Sequence, residues 1–535
     1  MFNRKPDPWF ENGHKKALIC AEAMIVSPNP QAALAGYDML RAGGNAVDAA
    51  IAAMAVTGVV EASQEGPGGD CFALIHDPKT GRTRAYNGSG RAPRALSADY
   101  LLERGFTEVP RVSPHSVSIP GAIEGWCRLQ EDYGRLDRAE IFAPAIRYAE
   151  EGFVLHPRVV RDWHESRDEI ARQPDTARHF LKDGRAPEIG DRWVLPGYGA
   201  LYRDIARNGA KAFYEGAFAA RLVDHLRALG GLHSLEDFAT HRGEYVEPVA
   251  TTAYGQSFVE CPPNGQGVAA LVLIRLIERL MPGCALNSVA GHHLLSEASK
   301  IAFSLRDDLI AEPQAMQVSV DRILSDATID KIAAGISRDR AMPRTPARNY
   351  LPEHSDTSYV SVVDRDGMTV SLISSIFTDF GSTLTEPQSG ILLQNRAAGF
   401  VLDAGHPNRL EGGKRPLHTI IPGMALRDGR PTLSYGVTGG HYQPVGHALL
   451  AQAIFAEGMD PQEALNLARS HCQTGAIHIE EVVPQDLRAG LVAMGHEVTV
   501  STHPIGGGHA IHVDQDRGVL IGGTDSRRDG IVVGY

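Results

Sequence analysis

The stretch "HSDTSYVSVVDRDGMTVSLISS", residues 354 to 375, alternates small polar and apolar residues on either side of a turn at Asp366 and Gly367. Alternation with a period of two around such a turn predicts a β-hairpin. The preceding residues, 305–356, are rich in charge and proline and are expected to form exposed, weakly structured chain. A hydroxyl residue, Thr357, therefore stands where a loop becomes a strand.

The chemistry of a hydroxyl residue changes if the peptide bond before it is cut. A buried hydroxyl is a weak nucleophile and needs an adjacent base. As an N-terminal residue it carries its own α-amine, with an unperturbed pKa of about 7.7 to 8.0, which can accept the hydroxyl proton near neutral pH. Cleavage between Asp356 and Thr357 would create such a residue. The alternative is that Thr357 and Ser358 only begin a strand, as such residues often do.

Composition limits the classes of function. The 535 residues carry a formal net charge of -12, with acidic and basic residues mixed along the chain, which argues against nucleic-acid and anionic-lipid binding. The N-terminal residues lack the apolar stretch of a signal peptide, and the longest apolar run, 46–60, is too short for a membrane span. Six scattered cysteines suit a reducing compartment. We therefore expect a cytoplasmic protein.

Helices and strands alternate unevenly along the chain. Two alanine-rich helices are predicted on either side of Gly43 and Gly44, with Asn45 as the N-cap of the second. Residues 122–242 are mostly helical in pattern, and 267–280 is another helix candidate. Because strand patterns lie on both sides of this helical middle, we expect an α+β protein in which sheets from distant chain segments are covered by helices.

A second element of the chemistry would be an oxyanion hole. In "SYGVTGGHYQP", residues 434 to 444, Gly439 and Gly440 follow a strand and precede a helix, where backbone N–H groups can converge on a developing negative charge. The alternative is a turn that needs glycine for its positive φ. His509 and His512 are a further possibility, a metal pair on one strand face, although no third ligand has a recognisable spacing.

Eight short motifs follow one another across nearly the whole chain. They are "AGGNAVDAA" (42–50), "GPGGDCF" (66–72), "VSIPGAIEGW" (117–126), "CPPNGQG" (261–267), "DTSYVSVVDRDG" (356–367), "SGILLQN" (389–395), "GKRPLHTIIP" (413–422) and "VTGG" (437–440). In this order they resemble the motifs of the γ-glutamyltranspeptidases.

The resemblance implies an N-terminal nucleophile (Ntn) hydrolase with a four-layer αββα sandwich, made as one precursor. Matching the motif puts the nucleophile at Thr357, so that residues 1–356 and 357–535 would become the large and small subunits. Gly439 and Gly440 match the family's oxyanion pair. Ser375 falls where the family has a threonine bonded to the nucleophile's amine.

The residues expected to bind substrate depart from the family pattern. Ser89 stands where the family has an arginine for the substrate carboxylate, and Arg91, two residues on, is a candidate replacement. Phe377 stands in place of an asparagine, Arg396 in place of a glutamine, and Gly399 in place of an aspartate. These changes remove an anion that would pair with a substrate ammonium and add a cation.

The predicted substrate contacts are completed by Tyr359 and by His418 and Thr419, which replace the family's serine pair. The resemblance implies an autoprocessed amide hydrolase or acyltransferase that acts on a small amide donor, with water or an amine as acceptor. The donor is either a γ-glutamyl compound such as glutathione or a non-γ-glutamyl amide bearing a carboxylate, of the oxamate or cephalosporin-acylase kind. An uncleaved, non-catalytic homologue is the other possibility. We expect no cofactor or metal, and leave further homo-oligomerisation open.

Overall fold

The computed structural model describes residues 15–343, 357–473 and 475–535. Asp356, the first residue of the predicted cleavage site, lies outside these ranges. Two seven-stranded sheets dominate the fold. From edge to edge, the first sheet contains β1 (Leu18–Cys20), β18 (Val519–Thr524), β17 (Gly507–Asp514), β13 (Arg430–Thr438), β12 (Gly423–Arg427), β9 (Gln256–Glu260) and β8 (Val249–Ala253).

The second sheet contains the predicted hairpin at its centre. Its order is β19 (Ile531–Gly534), β2 (Met24–Ser27), β10 (Ser358–Val363), β11 (Thr369–Ser375), β3 (Asp70–Asp77), β4 (Arg82–Gly88) and β7 (Glu244–Val246). Two small sheets are formed by β14 (Ser470–Cys472), β15 (Ala476–Ile479) and β16 (Glu497–Val500), and by β5 (Phe153–Val154) and β6 (Arg192–Trp193).

The α-helices form the outer layers of the molecule. They are α1 (Pro30–Arg41), α2 (Ala46–Val60), α3 (Ala98–Leu102), α4 (Ala122–Tyr133), α5 (Arg138–Glu151), α6 (Pro157–Ala171), α7 (Pro174–Phe180), α8 (Pro196–Asn208), α9 (Lys211–Tyr214), α10 (Gly216–Ala228), α11 (Leu235–Ala239), α12 (Gly267–Leu280), α13 (Val289–Leu309), α14 (Val320–Ile323), α15 (Asp326–Gly335), α16 (Tyr442–Ala451), α17 (Pro461–Asn466) and α18 (Gln485–Ala493).

The hairpin shows how the layers are built. β10 and β11 pair antiparallel around a turn in which Gly367 has a φ of 86°. Val360 and Val362 pack on one face into the core that the alanine-rich helices cover, whereas Tyr359 and Ile373 pack on the other face against residues of the opposite sheet. Because side chains alternate between the faces of a strand, one hairpin contributes to two cores.

The second sheet is therefore sandwiched between helices and another sheet. α1 and α2 pack on its outer face, and α12 and α16 cover the outer face of the first sheet. This arrangement confirms the predicted four-layer αββα sandwich and the α+β class.

Capping explains why the two alanine-rich helices form where the sequence predicts. The side chain of Asn45 accepts hydrogen bonds from the N–H groups of Val47 and Asp48, and the Asp48 carboxylate accepts one from the N–H of Asn45 at 2.9 Å. Every residue of α2 is buried, so its small side chains allow close packing on the sheet. The predicted helix over 267–280 is also confirmed.

The described part of the region 305–356, residues 305–343, contains regular structure that its composition does not indicate. The expectation of weakly structured chain is wrong for the end of α13, up to Leu309, and for α14 and α15, which Ser319 and Ser325 cap through their side chains. Residues 344–356, the remainder of that region, lie outside the described ranges. Within the described ranges, no helix is both long enough and apolar enough to cross a membrane.

Candidate active site

Thr357 lies immediately before β10, on the side of the hairpin that looks toward the other sheet. Its side chain is buried, with 1% of the residue exposed, and its Oγ1 donates a hydrogen bond of 3.4 Å to the Oγ of Ser375. The antiparallel register that pairs Ser358 with Ser374 brings the two hydroxyls together. The Ser375 Oγ also accepts a 2.8 Å hydrogen bond from the N–H of Phe377. The hairpin thus holds the predicted nucleophile next to its predicted partner.

Arg396 is a charged residue in direct hydrogen-bond contact with this hydroxyl pair. Its Nη2 donates to the Ser375 Oγ at 3.2 Å, its Nη1 donates to the Thr419 Oγ1 at 2.8 Å, and its Cζ lies 4.1 Å from the centre of the Phe377 ring. The residue is fully buried, and burial lowers the pKa of its guanidinium to about 9 despite the opposing charge of Asp70.

The hydrogen-bond partners of Arg396 are neutral. Across the described parts of the chain it forms no ion pair with a carboxylate, and its Nε has no hydrogen-bond partner. A buried cation without a paired anion is costly, so a bound anion would stabilise it. Three residues predicted to act in the site, Ser375, Arg396 and Thr419, are thus brought into direct contact, although they come from separate chain segments.

His418 and Asp70 form a second buried pair beside Arg396. The His418 Nε2 lies 3.1 Å from one carboxylate oxygen of Asp70, and the other oxygen accepts hydrogen bonds from the N–H groups of Gly90 and Gly121 and from Gln394 Nε2. Burial lowers the pKa of His418 well below its usual value, so the imidazole is neutral near pH 7. Burial also raises the pKa of Asp70 to about 6. This pair positions the segment that carries Thr419.

The glycine pair lies at the same end of the sandwich as Thr357. Where β10 faces β13, Ser361 Oγ donates to Ser434 Oγ at 2.7 Å, and the Tyr359 ring packs against Gly436. Two residues toward the N-terminus of β10 therefore correspond to two residues toward the C-terminus of β13. The same spacing places Thr357 opposite the end of β13, and the glycine pair follows directly.

The backbone of the glycine pair requires glycine. Gly439 and Gly440 have φ values of 99° and 53°, and a Cβ on Gly439 would lie 2.8 Å from the Cα of Gly506. Their carbonyls accept hydrogen bonds from the N–H groups of Tyr442 and Gln443 in the first turn of α16. The pair thus forms a tight strand-to-helix turn that needs glycine. This geometry is compatible with the predicted oxyanion hole as well.

Gln266 is a residue of this site that the sequence analysis missed. Its Nε2 donates to the carbonyl of Thr419 at 2.5 Å and to the carbonyl of Gly440 at 2.8 Å, and Arg306 Nη1 donates to its Oε1 at 2.8 Å. It therefore links the substrate-side segment to the glycine turn. Its position in the motif "CPPNGQG" could have marked it as a site residue, but that motif does not indicate which groups it bonds.

Two predicted substrate contacts lie elsewhere. Arg91 pairs with Glu312 at 2.5 Å and donates to the carbonyl of Gly413 at 3.0 Å, on a partly exposed surface. The Tyr359 hydroxyl bonds Ser371 at 2.8 Å inside the sandwich. Neither residue shares a hydrogen bond with Ser375 or Arg396 within the described ranges. A role for them in substrate binding stays a prediction.

The metal pair on β17 that the sequence left as a possibility is not formed. His509 and His512 are three residues apart, so they project from opposite faces of the strand, and the expectation that they share a face is wrong. His509 Nδ1 lies 2.9 Å from Thr524 Oγ1, and its ring stacks on Tyr359.

Another buried group has the residue types of a metal site. His293, Glu297 and His496 have ligand atoms within 4.8 Å of one another. However, Lys300 Nζ lies 2.7 Å from Glu297 Oε1, and His293 Nδ1 lies 2.7 Å from His496 Nε2. The ammonium already pairs with the carboxylate, and the two imidazoles bond each other. An ion pair and a hydrogen bond thus already engage ligand atoms on all three residues.

Buried carboxyl groups lie on the helix side of the hairpin. Glu61 is close to Ser358, whose Oγ lies 3.5 Å from Glu61 Oε2, and burial raises the pKa of Glu61 to about 7. Glu65 is also buried, and burial raises its pKa well above the usual value. From the C-terminal region, Arg528 donates to Thr438 Oγ1 at 2.6 Å, next to the glycine turn. These groups therefore lie close to the strand ends, on the helix side of the hairpin and beside the glycine turn.

Sequence and structure comparisons agree with this architecture. Residues 32–535 match the family model described as gamma-glutamyltranspeptidase, so the chain belongs to the γ-glutamyltranspeptidase family and is an enzyme of the Ntn-hydrolase type. It is 34% identical to the glutathione hydrolase-like YwrD proenzyme of Bacillus subtilis, over 97% of this chain and 99% of that protein.

Two further relatives have other substrates in their names. The oxamate amidohydrolase proenzyme of Klebsiella pneumoniae is 32% identical over 97% of this chain and 99% of its own length. The crystal structure of cephalosporin acylase from Bacillus halodurans superposes with a TM-score of 0.92 at 35% identity, covering 100% of this chain and 99% of that one. These comparisons establish the family and the fold. The names of the relatives refer to several different substrates.

Proposed function

We propose that this chain cuts itself between Asp356 and Thr357 and then hydrolyses a small amide whose acyl group carries a carboxylate but no α-ammonium. The observation that carries the proposal is Arg396: a fully buried guanidinium that contacts Ser375, the hydrogen-bond partner of Thr357, and has no carboxylate partner among the described residues. An acyl carboxylate fits a bidentate guanidinium, and its binding would satisfy the buried charge.

The chemistry uses the residues at the strand ends. In the precursor, Thr357 Oγ attacks the carbonyl carbon of Asp356, the peptide C–N bond breaks to give an ester and a free α-amine, and water hydrolyses the ester. The new N-terminus then acts on substrate. The Oγ forms a bond to the amide carbon while its proton passes to the α-amine.

Release of the first product and turnover follow from the same groups. The amide C–N bond breaks as the α-ammonium returns its proton to the leaving nitrogen, which leaves an acyl ester on Thr357. Water then attacks the ester, loses a proton to the amine, and releases the carboxylic acid. In both steps the N–H groups at Gly439 and Gly440 stabilise the oxyanion. An amine in place of water would give acyl transfer.

A γ-glutamyl donor is the second candidate, and the family and the name of the Bacillus subtilis relative favour it. Such a donor carries an α-ammonium that needs an anionic partner. Phe377 places an aromatic ring against Arg396, and Gly399 has no side chain. Neither of these two replacements offers an anion to the substrate ammonium. The nearest buried carboxylate in the network, Asp70, is already hydrogen-bonded to His418 and Gln394. These features support the carboxylate-bearing amide.

Mass spectrometry of the purified protein tests cleavage. We expect two polypeptides, the smaller beginning at Thr357, and a single intact chain in Thr357→Ala. Ser358→Ala is the matched control, because it removes the neighbouring hydroxyl from the opposite strand face and should be cleaved. An uncleaved wild-type chain that persists on incubation would contradict the mechanism.

Substrate choice is tested with the cleaved enzyme. Oxamate and succinamate should be hydrolysed faster than γ-glutamyl-p-nitroanilide at equal concentration, with ammonia or p-nitroaniline release as the measurement. Turnover of the γ-glutamyl compound alone would refute the assignment of Arg396.

A further inference from the structure

The charge of Arg396 has a second consequence, which rests on the proposed cleavage. We propose that the Arg396 guanidinium keeps the α-amine of the mature Thr357 unprotonated at neutral pH, so that one residue both receives the substrate anion and sets the basicity of the catalytic amine. The role assigned here is electrostatic and acts through space, independently of any contact with substrate.

The geometry places the cation near the amine. Thr357 Oγ1 is 3.4 Å from Ser375 Oγ, which is 3.2 Å from Arg396 Nη2. The α-nitrogen is separated from Oγ1 only by the bonds of a single residue. Ordinary bond lengths and hydrogen-bond angles then place the guanidinium about 5 to 9 Å from the amine, with about 7 Å as the central value.

The surroundings make this charge effective. Thr357, Ser375 and Arg396 are each no more than 1% exposed, so water screens the interaction weakly. At about 7 Å and an effective dielectric constant of about 20, a unit positive charge lowers the pKa of an amine by between about one and two units. An α-amine with a usual pKa near 8 would then titrate near or below 7.

Other charged groups near the strand end also act on the pKa of the α-amine, in addition to Arg396. Asp70, from the start of β3, opposes Arg396 at neutral pH, because a carboxyl whose pKa burial raises to about 6 is mostly ionised there. His418 is neutral because burial lowers its pKa well below the usual value. On the helix side, Glu61 would favour a protonated amine when ionised, and Arg528 beside the glycine turn would disfavour it.

Burial also raises the pKa of Glu65, five residues after α2, well above its usual value, which favours the neutral carboxyl. Arg396 is linked to Thr357 through a single intervening hydroxyl. We therefore expect its removal to move the amine pKa upward by about one unit after partial compensation by Asp70.

The test uses the full cleaved enzyme and a neutral probe. p-Nitrophenyl acetate acylates a nucleophile without needing carboxylate recognition, so the pH dependence of its acylation rate reports the free amine. The rate for Thr357→Ala is subtracted as background. We expect the acid limb of the wild type below the usual α-amine range of about 7.7 to 8.0.

Two substitutions separate charge from shape. Arg396→Gln should shift the midpoint of the acid limb upward by about one pH unit. Arg396→Lys should leave that midpoint near the wild-type pH, because the positive charge is kept. With oxamate, both variants should show a raised KM, since lysine lacks the planar fork of arginine. This split between the pH limb and KM is not expected from a merely structural arginine.

Failure of this inference is distinguishable from failure of the proposed function. A chain that stays uncut, or a cut chain without Thr357-dependent acylation, overturns the proposed function and this inference with it. A cleaved, acylated enzyme whose acid limb lies at 8 or above overturns the inference alone. An acid limb that stays at the wild-type pH in Arg396→Gln also overturns the inference alone. If that variant fails to mature, the pH of the acid limb in the wild-type enzyme tests the inference.

Discussion

Replacing Gly439 by alanine is the sharpest test of the oxyanion hole. The residue has a φ of 99°, and an added Cβ would lie 2.8 Å from the Cα and 3.3 Å from the nitrogen of Gly506. A left-handed conformation costs an alanine about 1–2 kcal/mol. Because the clash is with backbone, the turn must shift, and its N–H groups move away from the position of the oxyanion.

The expected loss is one hydrogen-bond donor to the transition state. Such a loss costs about 2.7–4 kcal/mol, or a factor of about 10²–10³ in kcat, with little change in KM. The measurement is kcat and KM for amide hydrolysis, normalised to the amount of cleaved small subunit found by mass spectrometry. Urea unfolding of the same samples reports the accompanying loss of stability.

Gly518→Ala is the matched control. Gly518 lies in the turn between β17 and β18 with a φ of 66°, and an added Cβ there meets no atom within 4 Å. It therefore introduces the left-handed strain without a clash and away from the site. A cleaved Gly439→Ala enzyme with kcat within threefold of wild type would refute the donor role. An equal loss of kcat in both variants would show that strain alone is responsible.

Two further predictions concern the buried polar groups. Burial raises the pKa of Glu61 from 4.5 to about 7, so its contribution to stability is present below pH 4.5 and is lost as the pH rises through 7. Glu61→Gln should therefore be more stable than wild type at pH 8, by up to about 3 kcal/mol, and similar at pH 4.5, as measured by urea unfolding; an unchanged difference between the two pH values would contradict this. Gln266→Leu should lower kcat at least tenfold, because the carbonyls of Thr419 and Gly440 lose their shared donor; kinetics of the cleaved variant would show this, and a wild-type kcat would exclude a positioning role.

The position of Thr357 on the hairpin determines which of the two cores its side chain faces. Residues of even number in β10 face the helix side with its buried carboxyl groups, whereas Thr357 faces the other sheet, where Ser375, Arg396 and the glycine turn converge. A shift of register by one residue would place the nucleophile among the wrong groups. The strand pairing is therefore as important to the proposed chemistry as the hydroxyl itself.

Local patterns in the sequence determined the elements themselves. The alternation around Gly367 predicted the hairpin, and the capping residue Asn45 predicted the start of α2, because both signals act over a few neighbouring residues. The resemblance to the γ-glutamyltranspeptidases added the four-layer sandwich and the order of the motifs. Local composition failed for α14 and α15, where serine caps outweigh a charged, proline-rich surrounding.

Only the tertiary structure decided how the site residues are connected. Ser375, Arg396 and Thr419 meet because the end of β11, the 3-10 turn Arg396–Gly399 and the segment before β12 converge. Gln266 joins the last of these segments to the glycine turn. The sequence also could not show that Arg396 lacks a carboxylate partner within the described ranges while Arg91 has one. Desolvation and hydrogen bonding depend on groups that are far apart along the chain, so the charge state and accessibility of a site are properties of the folded molecule.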